Sequence, residues 1–75
     1  MVNFRLKELR KARRLSQVRL AIDLNMTQNT ISRYETGALE ASYESLIQFA
    51  DYFNVSTDYL LGRTNNPTPY PDTKK

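Results

Sequence analysis

Apolar residues recur along this chain at three- and four-residue spacing, in short runs separated by Asn, Ser, Thr and Gly, as in a series of short amphipathic helices. Asn3 is a candidate N-cap, after which Leu6, Leu9 and Ala12 repeat at helical spacing as far as Arg14 and Leu15. Ser16 caps a second helix near 17–24 with Leu20, Ala21 and Leu24 on one face, and Asn25, a residue type that tolerates the left-handed conformation, turns the chain sharply at 25–27. Thr27 and Gly37 bracket a third helix at about 28–36, followed by a loop at 38–42. Ser42 opens a fourth helix, whose expected core stripe is Tyr43, Leu46, Ile47, Ala50 and Phe53 and whose stop is Asn54. Ser56 opens a very short fifth helix carrying Tyr59, Leu60 and Leu61, ended by Gly62. This predicts an all-α fold, a compact five-helix bundle over residues 1–62. Residues 63–75 hold all three prolines, at 67, 69 and 71, and no aliphatic residue, the composition of an extended tail or linker.

Seventy-five residues supply one small domain. The absence of Cys and His removes disulfides, thiolate and imidazole metal ligands, and the nucleophile schemes built on them. With two glycines there is no phosphate-cradling loop, and no acidic pair falls in an apolar pocket, so neither an enzyme nor a cofactor or small-molecule ligand is expected. The apolar runs are far shorter than the ~20 residues of a membrane span, and Met1 to Arg5 contain no signal-peptide core. A soluble cytoplasmic protein is expected.

Charge changes the picture more than composition does. Residues 1–33 carry eight Lys/Arg (Arg5, Lys7, Arg10, Lys11, Arg13, Arg14, Arg19, Arg33) against Glu8 and Asp23, whereas residues 34–75 carry three against six acids. Such polarisation suits contact with a polyanion on one side, although a charge run is also compatible with a solvated face. On the third helix, Gln28, Ser32, Thr36, Asn29 and Arg33 fall within an arc of about 140° opposite Ile31 and Tyr34. That outward face is polar yet nearly uncharged. Amide, hydroxyl and guanidinium groups are those whose donors and acceptors match base edges in the major groove.

A short helix, a tight turn and an amide-rich helix have the geometry of a helix-turn-helix. The stretch 17–36 resembles the motif of the phage Cro/repressor-type family, also called XRE. The family's apolar positions are filled by Leu20, Leu24, Met26, Ile31 and Tyr34, and its small position by Ala21. Leu15-Ser16-Gln17, Ile31 to Gly37 and the run DYFNVSTDYLLGR at 51–63 are also similar to the family, so the likeness covers about residues 4–63. The chain departs from it with Asn25 in place of the usual turn glycine, Val18 and Arg19 in place of acidic residues, and Ala38-Leu39-Glu40-Ala41 in place of a basic loop.

The resemblance implies a lambda-repressor-like fold and sequence-specific double-stranded DNA binding by a transcriptional regulator, a repressor acting on a pseudo-palindromic operator as a homodimer, with helix 3 in the major groove. Gln28, Asn29, Ser32 and Arg33 would then reach bases, and Gln17 and Thr36 phosphates. Arg10 and Arg14, with Arg5 and Arg13, read as electrostatic contacts to the backbone. The resemblance also implies an ion pair between Arg10 and Glu35, both at core edges of their helices. Tyr43, Phe53 and Tyr59 follow core spacing. Phe49 and Tyr52 broaden the apolar face of helix 4 and, with Val55, form a possible dimer contact, the alternative being partly exposed aromatics on a monomer. A different function, a protein-interaction module such as an antitoxin or anti-repressor partner, would use the same bundle.

Overall fold

The computed structural model describes residues 4–69 and comprises five helices: α1 Leu6–Ala12, α2 Gln17–Leu24, α3 Gln28–Thr36, α4 Tyr43–Phe53 and α5 Thr57–Leu60. Four of them start in the same way. The hydroxyls of Ser16, Thr27, Ser42 and Ser56 accept from the backbone N–H of Arg19, Thr30, Ser45 and Tyr59, each satisfying one amide that the first turn leaves without an intrahelical partner. Asn3 lies outside the described residues, and α1 begins instead after Arg5, which makes no side-chain cap; Arg5 N–H donates to Leu60 O, which anchors the start of α1 to the end of α5.

The helices also end alike. Asn25 (φ 60°), Asn54 (φ 56°) and Gly62 (φ 77°) stand in the left-handed region, and the residue after each donates back to a carbonyl five positions earlier. Arg14 (φ 58°) does the same for α1: Arg14 N–H donates to Lys11 O and Leu15 N–H to Arg10 O. Helix 1 therefore stops at Ala12, two residues before the periodicity suggested, because reversing the chain at Arg14 carries Leu15 back onto the core.

Leu6, Leu20, Ile31, Phe49 and Leu60, one from each helix, are fully buried and meet at the centre. Phe49 is edge-on to Tyr34 (ring centroids 5.5 Å apart) and tilted against Phe4 (6.2 Å). Helix 4 is thus rotated from expectation. Its inward residues are Leu46, Phe49, Ala50 and Phe53, while Tyr43 is 77% exposed and Ile47 36%. Both registers satisfy helical spacing; the one observed puts the ring of Phe49 between two other aromatics. Tyr59 is half-buried, with the Arg5 guanidinium 4.2 Å above its ring.

The stretch after Arg63 does not leave the domain at once. Pro67 O accepts from the N–H of buried Ser56, and Arg5 Nη2 donates to Thr64 O (3.3 Å) and Asn65 Oδ1 (2.9 Å). Residues 64–67 form a strap over the start of α5, and the extended tail expected from residue 63 is tied down along this part. Tyr70 to Lys75 lie outside the described residues.

Candidate nucleic-acid interface

Helices α2 and α3 pack through Leu20, Ala21 and Leu24 against Ile31 and Tyr34, with Met26 in the turn partly buried. The turn is closed by Met26 N–H donating to Ala21 O and by Thr27, whose hydroxyl caps α3 and lies 2.9 Å from the Thr30 hydroxyl. This leaves Gln28, Asn29, Arg33 and Thr36 exposed and Ser32 half-buried along the outer side of α3. Asn29 and Arg33 engage no side-chain partner among the described residues.

Behind that face lies a polar cluster. Arg10, only 8% exposed, donates from Nε to Glu35 Oε2 (2.6 Å), from Nη2 to Glu35 Oε1 (3.1 Å) and from Nη1 to Leu15 O (2.8 Å). The Glu35 side chain is 2% exposed, so the two ions are desolvated together in the two-pronged geometry that suits guanidinium and carboxylate. Glu35 Oε1 also accepts from Gln17 Nε2 (3.0 Å), and Gln17 Oε1 accepts from Gln28 Nε2 (3.1 Å). A continuous chain of hydrogen bonds therefore runs from α1 through α3 and the start of α2 back to the first residue of α3.

Several expected roles change in consequence. Arg10 spends three of its five N–H donors on Glu35 and Leu15 O, and its charge is matched by Glu35, so its interior pairing takes precedence over the expected phosphate contact. Both ends of the Gln17 amide are occupied by Glu35 and Gln28. The Thr36 hydroxyl donates to Arg33 O (3.3 Å) and lies 3.4 Å from Ala38 N–H, so its proton is used within the helix end rather than offered outward.

The other arginines sort in the same way. Arg13 donates to Tyr52 O (3.3 Å) and Phe53 O (2.9 Å) and lies over the Phe53 ring (5.1 Å), a cation at the carbonyl end of α4, where the helix dipole favours it. Arg5 is held by the strap, and Arg19 pairs with Asp23 (3.2 Å). Of the eight cations in the first 33 residues, Lys7, Lys11, Arg14 and Arg33 remain exposed with no side-chain partner among the described residues. Sequence alone could not separate these from the engaged ones, because separation depends on which carbonyls and carboxylates the fold brings within reach.

The proposed dimer residues also move. Phe49 is fully buried and Val55 is 9% exposed, so neither is available to a second copy. Tyr52 stacks edge-on with Phe53 (4.9 Å), and its hydroxyl donates to Asp23 Oδ2 (2.6 Å), tying α4 to α2. That hydrogen bond to a carboxylate, helped by burial and the neighbouring negative charge, raises the Tyr52 pKa above 10. No helix among the described residues is long and apolar enough to cross a membrane.

A helix-turn-helix family profile matches residues 6–60, the span from the first residue of α1 to the last of α5. The chain belongs to the helix-turn-helix family. This helix-turn-helix chain is 35% identical, over all of its 75 residues and 65% of the relative, to the uncharacterized HTH-type transcriptional regulator YqaE of Bacillus subtilis. It is 39% identical to the HTH-type transcriptional regulator ImmR of the same organism, over 79% of this chain and 46% of that protein. It is 32% identical to the antitoxin PezA of Streptococcus pneumoniae, over 96% of this chain and 46% of that one. The helix-turn-helix chain thus spans between about half and two-thirds of these relatives. No solved structure matches it significantly.

Proposed function

We propose that this protein is a sequence-specific double-stranded DNA-binding transcriptional regulator that acts by occupying an operator, not by catalysis. The observation that carries the reading is the outer side of α3. It presents Gln28, Asn29, Ser32 and Arg33 on a nearly uncharged surface, with Arg33 free of any carboxylate and the helix braced from behind by the Arg10–Glu35 pair. In the major groove these side chains would meet base edges, and Arg14, Lys11 and the amides that open α2 would meet phosphates. Family membership and the HTH-type regulators among its relatives support the assignment. Repression follows most simply, since an occupied site excludes polymerase without any further surface. A homodimer on a pseudo-palindromic operator would place two α3 helices one helical turn apart.

The likeness to the antitoxin PezA favours a second reading, in which the bundle also holds a protein partner. Selection of bound duplexes from a random library, with wild type and Arg33→Ala at two salt concentrations, separates the two. A palindromic motif whose sharpest positions relax in the variant supports the regulator. Weak, steeply salt-dependent recovery with no motif removes it.

A further inference from the structure

We propose that the cleft between the end of α3 and the start of α4 is a ligand site for a small molecule with an apolar body and a cationic head, an aryl or alkyl amine. The cleft has a volume of about 700 Å³, inside the roughly 300–1,000 Å³ of pockets that hold small molecules. Phe4 ahead of α1, Leu39 and Ala41 in the loop after α3, Leu46 on α4 and Leu61 after α5 form its walls, and each is half-buried, apolar surface that the core does not finish covering. Nothing in the sequence announces the site, since residues as far apart as 4 and 61 are drawn together to make it. The walls are in place before any ligand arrives. Phe4 and Tyr34 both rest on the fully buried Phe49, and Leu39 N–H donates to Arg33 O (3.1 Å), which pins the loop to α3. Over Gly37 the space is open, for a Cβ added there would meet no atom within 4 Å beyond its chain neighbours.

The unsatisfied charge and dipole at the cleft are negative. Glu40, exposed on its rim, engages no partner among the described residues, whereas both oxygens of Glu35 are taken by Arg10 and Gln17. The carbonyl oxygens of two further lining residues, Glu35 and Thr36, stand at the negative end of the α3 dipole and accept no N–H among the described residues. The loop at 38–42 contains no cation to offset them. A free carboxylate and two free carbonyls beside apolar walls complement an ammonium group on a hydrocarbon body, and they repel a carboxylate or a phosphate. Such a site is independent of DNA binding and holds even if the regulator reading fails.

The test is an amide NMR titration of the isotope-labelled protein with naphthylethylamine, and in parallel with naphthylethanol and naphthylacetate, which carry the same rings with a neutral or an anionic head. The amine should shift the amide signals of Thr36, Gly37, Leu39, Glu40 and Leu61 saturably. It should bind at least about tenfold more tightly than the alcohol, the scale of one hydrogen bond to a charged group, with the acetate weaker than either. Glu40→Gln should weaken amine binding about threefold, as for an exposed ion pair, and leave alcohol binding and the melting temperature unchanged. Glu44→Gln, outside the cleft, should alter none of these. Saturable shifts centred elsewhere, or none at all, overturn the site. Equal affinity for the three heads, or amine affinity that Glu40→Gln leaves intact, overturns the cationic assignment. If the same amides shift on dilution of the unliganded protein, the cleft belongs to a second copy of the chain and the ligand assignment falls.

Discussion

Removing the Arg10 guanidinium would strand a carboxylate in the interior. The Glu35 side chain is 2% exposed and receives two donors from Arg10 and one from Gln17, so Arg10→Met keeps most of the apolar volume but leaves the charge with a single neutral donor. Breaking a buried pair from one side costs about 3–5 kcal/mol. At about 4–8 °C per kcal/mol for a domain of this size, the melting temperature should fall by at least about 12 °C. The double variant Arg10→Met/Glu35→Leu removes the stranded charge along with its partner, and should lie within about 2 kcal/mol of the wild type, since apolar replacements of buried pairs are often neutral. Circular dichroism at 222 nm during thermal and urea unfolding of the wild type, Arg10→Met, Glu35→Leu and the double variant gives a complete cycle. A single-variant loss below about 1 kcal/mol, or a double variant no more stable than Arg10→Met, would refute the claim that the pair is desolvated and mutually dependent. The double variant should nonetheless bind DNA less selectively, because it deletes the acceptor that orients Gln17.

Other substitutions separate stability from binding. Arg14→Gly relieves a left-handed residue and should raise the melting temperature by a few degrees, equivalent to about 0.5–1 kcal/mol. The same change should reduce DNA affinity and flatten its salt dependence by about one counterion per protomer, as read by fluorescence anisotropy at several salt concentrations. Phe49→Ala should cost about 3–5 kcal/mol in urea unfolding, while Tyr43→Ala on the outer side of the same helix should stay within about 0.5 kcal/mol. Tyr52→Phe should lower stability by about 1 kcal/mol or less at neutral pH, since the bond to Asp23 is largely exposed. Because the folded Tyr52 pKa is raised, its contribution is complete below pH 10 and is lost as pH climbs through the folded value. The stability gap between wild type and Tyr52→Phe should therefore shrink in alkaline urea titrations.

The helix boundaries were legible wherever a residue type has one strong local use. Ser16, Thr27, Ser42 and Ser56 cap because a short hydroxyl can reach the third amide, and Asn25, Gly37 and Asn54 stop helices because they tolerate positive φ. Arg14 occupies the same conformation without any such sign, since its backbone is set by where Leu15 must pack. The rotation of α4 was illegible for a related reason. Tyr43, Leu46, Ile47, Phe49, Ala50, Tyr52 and Phe53 cover so much of the helix that several inward faces are consistent, and the rings of Phe4 and Tyr34 select one. At the interface, the polar side of α3 could be read directly. The link from Glu35 through Gln17 to Gln28 could not, because it joins residues 7 to 18 positions apart whose contact depends on the packing of three helices.

The strap over α5 bears on the order in which the molecule opens. Arg5 reaches Thr64 and Asn65 across a separation of 59 and 60 residues, the longest closure among the side-chain contacts of the described residues, whereas the links around α2 and α3 join much nearer residues. The Arg5 N–H to Leu60 O bond already brings these two ends together, and the side-chain half of the clasp rests on exposed or half-exposed groups rather than on the core. Those side-chain contacts are therefore expected to open at a lower free-energy cost than the core. Since the clasp touches only the flank of α1 and α5, its opening leaves the packing of α2 against α3 in place.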